Sequence, residues 1–327
     1  MQDNVAQCRV ILARPQGFCA GVVRAVEMVE RALQMYGPPV YVRHEIVHNR
    51  HVVERLKKLG AIFVDEVDDI PVGALTLFSA HGVSRKVEVD AARRNLDVID
   101  ATCPLVRRVH REAQSYADRG YDVILVGHNG HAEVEGTRGQ VDVDVKVVQT
   151  VGDVATVLVS DESKVAFVTQ TTLSVFDTEH IVAALRKRFP AIVGPDTRDI
   201  CYATQNRQMA VLELARVSEV VLVVGSPSSS NASRLVEIAA STGVESHLVD
   251  GADKLDPDWV RGRSAIGITS GASTPASVVN DLVARIGQLF PITVDDLPGK
   301  KENVHFRLPE RLAQPARQLE AAAFPAE

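Results

Sequence analysis

The chain has no excess of positive charge: 36 Lys and Arg stand against 42 Asp and Glu, a formal net charge of −6 with a pI near 6.0. That balance argues against a nucleic-acid partner, for which a basic face is expected. No apolar run approaches the roughly 18–20 residues that span a bilayer. Met1-Gln2-Asp3-Asn4 offers neither a basic nor an apolar leader region, so no secretory signal is read and a cytoplasmic location is expected. There is no G-x-G-x-x-G opening a helix and no G-x-x-x-x-G-K-[ST], which leaves a Rossmann nicotinamide site and a P-loop unsupported. Cysteine is scarce, at four residues, and no two form a C-x-x-C pair. A zinc ribbon or ferredoxin-type run is thereby left without support. In a reducing compartment, metal binding or catalysis is a better use of these thiols than disulfides.

What is present is an ordinary core and a repeated unit. Hydrophobic residues make up 46% of 327, enough for two or three domains of about 100–150 residues. Short apolar runs such as Val10-Ile11-Leu12, Val40-Tyr41-Val42, Val123-Ile124-Leu125-Val126 and Val220-Val221-Leu222-Val223-Val224 suit strands buried on both faces of a parallel sheet. Amphipathic segments separate them, so the architecture read is α/β, with function at the loops after the strands.

A longer period overlies this alternation. Cys19, Cys103 and Cys201 are 84 and 98 residues apart, and so are Val42, Val126 and Val224, each read as closing the next strand. Asp69, Asp153 and Asp253 follow in step, as do strands ending near Phe78, Val168 and Ile268. Chance alignment within any α/β chain is the alternative, and three sets of landmarks in one register weigh against it. The sequence therefore predicts three similar α/β lobes in a pseudo-threefold arrangement: residues 20–103, 104–197 and 198–290, with 8–19 joining the third. Residues 291–327 are expected to pack back as a tail, disordered at its end, with fraying from Leu312 onward.

Threefold packing would bring the cysteine loops together. Cys19 has small neighbours in Gly17-Phe18-Cys19-Ala20-Gly21, Cys103 precedes Pro104, a good first helical residue, and Cys201 precedes another helical pattern. A helix N-terminus is expected to lower a thiol's pKa. A small buried hydrophobe is the plainer reading of any one cysteine. Three at matching repeat positions favour ligands of a central iron–sulfur cluster instead. Three thiolates suit a cubane with one iron left open, which can polarise a substrate oxygen. Cys8 has no counterpart and is given no role.

The loops expected beside the cysteines are polar. His48, His81, His131 and Glu133, Thr171 and Thr172, Ser228-Ser229-Ser230-Asn231, and Ser270-Gly271-Ala272-Ser273 stand there. Such loops place donors at helix N-termini, a ready cradle for phosphate, although Ser228–Asn231 could equally be simple capping. Beside an anion, His48 and His81 could stay protonated. Glu133 is the carboxylate of these stretches and a natural proton donor if burial raises its pKa; otherwise it is a surface glutamate. His44-Glu45-Ile46-Val47-His48 matches the zinc-protease pattern, which makes a zinc-dependent hydrolase the alternative. That chemistry needs both histidines on one helical face, whereas this stretch follows a strand.

Taken together, several segments resemble one family, the 4-hydroxy-3-methylbut-2-enyl diphosphate reductases of the methylerythritol phosphate route to isoprenoids. They are Gly17–Val22, Arg43–Arg50, Phe78–Val83, Asp100–Val106, His131–Gly136, Thr169–Ser174, Cys201–Gln208 and Ser229–Asn231, and the resemblance runs from about Val10 to Pro309. It implies a [4Fe–4S] cluster held by Cys19, Cys103 and Cys201, with one iron not ligated by cysteine. It implies that His48, His81, Ser229, Ser230, Asn231 and Ser273 hold the diphosphate. His131, Thr171 and Glu133 would position the substrate hydroxyl and deliver protons, with Glu133 the catalytic acid. The products implied are isopentenyl and dimethylallyl diphosphate, with two electrons drawn from ferredoxin or flavodoxin. Gln16 and Ala232 depart from the pattern, where Arg and Ser are usual, and neither is expected to be a ligand.

Overall fold

Val220-Val221-Leu222-Val223-Val224 is apolar at every position, and the strand it forms is buried at every position. Such a strand needs neighbours on both edges and cover on both faces, which a parallel sheet supplies. The computed structural model describes residues 7–195 and 199–313, and within these the strands gather into three all-parallel sheets. In chain order the strands are β1 (Cys8–Ala13), β2 (Val40–Arg43), β3 (Ala61–Val64), β4 (Leu75–Phe78), β5 (Asp97–Asp100), β6 (Asp122–Val126), β7 (Lys146–Val148), β8 (Val165–Thr169), β9 (Val220–Val224), β10 (Glu245–Val249), β11 (Ala265–Ser270) and β12 (Ile292–Leu297). The sheet orders are β3-β2-β4-β5, β7-β6-β8 and β10-β9-β11-β1-β12.

The three orders are one motif: the second strand of a lobe lies outside the first, then come the third and a fourth. In the first lobe the fourth strand is β5, and in the third it is β1, brought from the start of the chain. In the middle lobe it shrinks to a single bridge between Val193 and Ala166. Each fourth strand leads into a cysteine, and the helix after that cysteine packs on another lobe. Helix Ala20–Tyr36, for instance, leaves Cys19 and covers β2, with Ala25, Val26 and Met28 in the same core as Val40 and Val42. The cysteines thus stand where the chain crosses between sheets.

Beyond Pro291 the expected tail contains β12, an edge strand paired with β1 over six residues. Thr293, Val294, Asp295 and Asp296 are exposed, so no periodicity marked it; ion pairs Arg9–Asp295 (3.1 Å) and Arg14–Asp296 (2.9 Å) tie it down. Fraying does not begin at Leu312: that side chain is fully buried in the first lobe's core, and Arg311 is held by Asp97 and Tyr36. Residues 314–327, expected to be disordered, lie outside the described residues. Cys8 is a buried core residue of β1. Among the described residues no helix is long and apolar enough to cross a membrane.

Candidate active site

Because every sheet is parallel, each lobe presents the carboxyl ends of its strands, and the loops there meet at one cavity. Its volume is about 110 Å³, and its walls include Cys19, Cys103, Cys201, His48, His81, His131, Glu133, Thr171, Ser229, Ser230, Asn231 and Ser273. All twelve residues to which the resemblance gives a role therefore face one space, whereas Ser228 and Ser270 of the same loops do not line it.

Each cysteine is the N-cap of a helix: Cys19 of Ala20–Tyr36, Cys103 of Pro104–Asp118 and Cys201 of Tyr202–Arg216. Pro104 occupies the first turn, where its missing N–H is no loss. A Cβ placed on Gly21 would stand 2.8 Å from Cys103 Sγ and 3.8 Å from Cys19 Sγ, so both sulfurs converge on a point only glycine leaves free. Cys201 Sγ accepts from Thr204 N at 3.4 Å and sits 3.1 Å from Thr204 Oγ1.

At Cys103 and Cys201 the expected lowering of the thiol pKa is reversed. Burial, reinforced by the neighbouring thiols, pushes Cys103 up to about 12 and Cys201 up to about 11, outweighing the helix N–H groups and, at Cys201, the Thr204 hydroxyl. In the cavity as it stands, His81 is lowered well below its ordinary value by burial and by His48 and His131, and His131 falls to about 4 through burial and the neighbouring His48 and His128. The His48 and His81 rings stack at 4.0 Å, with His131 edge-on at 5.7 and 6.1 Å.

Glu133 sits in the first turn of helix Ala132–Arg138 and is 2% exposed. Its Oε1 accepts from Thr171 N at 2.7 Å and its Oε2 bonds Thr171 Oγ1 at 2.9 Å. These bonds favour the ionised form, yet burial dominates and raises the group to about 7. The surface reading of Glu133 is therefore excluded. Its backbone N–H donates to His131 Nδ1 at 3.2 Å, which leaves the His131 proton on Nε2.

The third lobe contributes uncharged groups. Ser229 caps helix Ser230–Ser241 by accepting from Ala232 N at 3.3 Å, so the capping reading holds for that hydroxyl. Asn231 is different: it is 5% exposed, and both its Oδ1 and Nδ2 are buried without a partner. An amide buried with no partner is costly, and both of its polar atoms are free to bond. The helix approaches closely because Gly225 and Gly271 lack side chains; a Cβ there would meet the Ala232 Cβ at 2.6 and 3.1 Å. Ser273 Oγ donates to the His48 carbonyl at 3.0 Å, joining the third lobe to the first.

Thr172, expected in the polar loop though given no role there, accepts from Gln170 Nε2 at 2.9 Å and reaches Ser230 Oγ at 3.4 Å. One polar cavity residue was missed: Thr204, which holds Cys201 and for which the Cys201-x-x-Thr204 capping spacing was the available signal. The zinc reading falls on geometry: His44 to Asn49 is loop, His44 has φ +59°, and His48 Nδ1 is bound by Glu45 at 3.0 Å. The two histidines share no helical face.

Comparison with known proteins agrees with this geometry. The family model described as LytB protein matches residues 10–287. A 4-hydroxy-3-methylbut-2-enyl diphosphate reductase of Rhodopseudomonas palustris is 55% identical over 93% of the chain and 99% of its own length. A reductase of the same name from Burkholderia pseudomallei is 55% identical over 94% of the chain and 98% of its own length. The solved structure of the Plasmodium falciparum reductase superposes with a TM-score of 0.90 at 39% identity, covering 94% and 97% of the two chains. Fold, site and relatives define a three-lobed α/β oxidoreductase. The chain belongs to the LytB family, the 4-hydroxy-3-methylbut-2-enyl diphosphate reductases, terminal enzymes of the non-mevalonate pathway.

Proposed function

We propose that the chain reduces (E)-4-hydroxy-3-methylbut-2-enyl diphosphate, in the cytoplasm, to isopentenyl and dimethylallyl diphosphate, using two electrons and two protons and releasing water. The observation that carries this reading is a buried, protonatable Glu133 on the same cavity wall as three cysteines. The same reading divides the chain into lobes at 20–103, 104–197 and 198–290.

The cysteine set suits a [4Fe–4S] cluster. Three thiols on three helix N-termini surround one cavity, while among the described residues no three His, Cys, Asp or Glu side chains lie close enough to hold a single metal ion. Cys19, Cys103 and Cys201 would hold it and leave one iron without cysteine. Bound there, the cluster supplies electrons and Lewis acidity toward the substrate oxygen. Since burial keeps Cys103 and Cys201 protonated in the absence of metal, loading must release protons.

The protein's own groups do the rest. Glu133, about half of it protonated at pH 7, gives a proton to the departing hydroxyl through Thr171 Oγ1, which it holds at 2.9 Å. His131 offers its Nε2–H to the same oxygen. Asn231, Ser229, Ser230, Ser273, His48 and His81 bind the diphosphate, and the anion would raise His81 back toward its charged form. Ferredoxin or flavodoxin is the proposed source of electrons.

The test is anaerobic purification with iron and sulfide counts, an absorption spectrum and an assay of reductive dehydroxylation, repeated for Cys103→Ala. Broad absorption near about 400 nm with matching iron and sulfide, lost on substitution together with turnover, is the expected result. An iron-free protein after anaerobic handling and reconstitution would remove the redox reading.

A further inference from the structure

The segment after β12 runs Lys300-Lys301-Glu302-Asn303-Val304-His305-Phe306-Arg307, and its one acidic residue is turned inward. Glu302 accepts from Asn206 Nδ2 at 3.0 Å and from Arg207 Nη1 at 3.1 Å. Both partners lie on the helix that Cys201 begins, about 7.5 Å along its axis at 1.5 Å per residue. Five residues later, the Arg307 carbonyl accepts from Arg24 Nε at 3.0 Å. Arg24 is equally far along the helix begun by Cys19, and its Nη1 also reaches the Ala101 and Thr102 carbonyls beside Cys103. The strap is therefore tied to the helices begun by Cys201 and Cys19, and through Arg24 to the segment before Cys103, without entering the cavity.

Lys300, Lys301, His305 and Arg307 are exposed, and none of their side chains makes an ion pair or hydrogen bond with a described residue. Exposed arginines and lysines elsewhere are mostly paired, for example Arg9, Arg14, Arg55 and Arg216. With Glu302 neutralised from within, the strap is a bare basic ridge on a chain whose net charge is −6. Val304 and Val23 add exposed apolar surface on the same segments.

We propose that this ridge docks an acidic protein that carries one electron at a time. The inference rests on the reductase reading above and extends it to where the electrons enter. Each carrier molecule is oxidised by one electron; two such deliveries with two protons reduce one substrate and release one water. A basic ridge that also bears the exposed Val304 suits an acidic carrier, because complementary charge speeds encounter while leaving the complex short-lived.

The experiment uses cluster-loaded protein under anaerobic conditions and two reductants: an acidic [2Fe–2S] ferredoxin kept reduced by NADPH and its reductase, and dithionite with methyl viologen. In a K300E/K301E/R307E variant the ferredoxin-driven rate should fall about tenfold or more at low salt, and its salt dependence should flatten. The dithionite-driven rate and iron content should stay at the level of the unsubstituted protein. A control variant, K58E/K187E, should leave both rates unchanged. An unchanged ferredoxin-driven rate in the triple variant, a parallel fall with both reductants, or an equal loss in the control would each overturn the docking site. Absence of turnover with dithionite in the unsubstituted protein would instead overturn the reductase reading on which it rests.

Discussion

After the strand that heads each lobe, the chain puts His48 in the first, His131 and Glu133 in the second, and Ser229, Ser230 and Asn231 in the third. After the next inner strand it puts His81, Thr171 and Ser273. One scaffold thus carries three kinds of chemistry. The first two lobes supply groups whose protonation changes and whose burial shifts it, with His81 and His131 driven down and Glu133 driven up. The third supplies hydroxyls and an amide, which can hydrogen-bond an anion without titrating. The pH dependence of the cavity should therefore come from the first and second lobes, and a large share of ligand affinity from the third.

The largest test of that contrast is Glu133→Gln. Replacing the acid with an amide of the same shape should lower kcat by about 10²–10⁴-fold while iron content stays constant. A rate within a factor of two of the parent would remove Glu133 from the chemistry.

Stability should separate the lobes next. Between its ordinary value of 4.5 and about 7, the folded chain keeps a Glu133 proton that the unfolded chain has lost. That contribution is complete below pH 4.5 and fades as pH rises through 7, on the order of 3 kcal/mol in all. Denaturant titrations at pH 5 and 8 should show the loss, and Glu133→Gln should shrink it. Asp199, buried and likewise raised, adds to the slope with the same sign and should remain in that variant. An identical slope in parent and variant would contradict the raised value.

The smallest effect should come from the third lobe. Asn231→Ala removes an amide that has no partner in the ligand-free protein, so thermal stability should hold or rise slightly. Substrate affinity should nevertheless weaken by about 1.5–3 kcal/mol, the worth of hydrogen bonds to a charged group, with the pH profile unchanged. A drop in melting temperature with unaltered KM would mean that Asn231 is structural.

Much of this site was legible because the repeat is regular: equal spacing of Cys19, Cys103 and Cys201 with the following strands predicts that they meet. Helix starts were legible too, since small residues and Pro104 announce them. What escaped depends on distance or on burial. Arg207 and Glu302 meet across 95 residues, and Arg24 and Arg307 across 283, with no local pattern to announce either pair. The thiol pKa direction escaped because helix N-terminus and burial act in opposite senses, and only the depth of the site decides between them. The strand β12 escaped because an edge strand with exposed Asp295 and Asp296 shows no alternation.

The strand β1 is paired on one side with β11 and on the other with β12, so Arg9 meets Ala265 and Thr293. It is made first and completed last. At about 5–20 residues per second, some 13–50 s separate its emergence from the ribosome and that of β11. During that interval Cys19 leads out of an unpaired strand, and no nascent fragment owns all three thiols in place. The cavity between the lobes is therefore completed only once β11 has been made, and a ribosome stalled before it yields a chain whose three cysteines do not line one cavity.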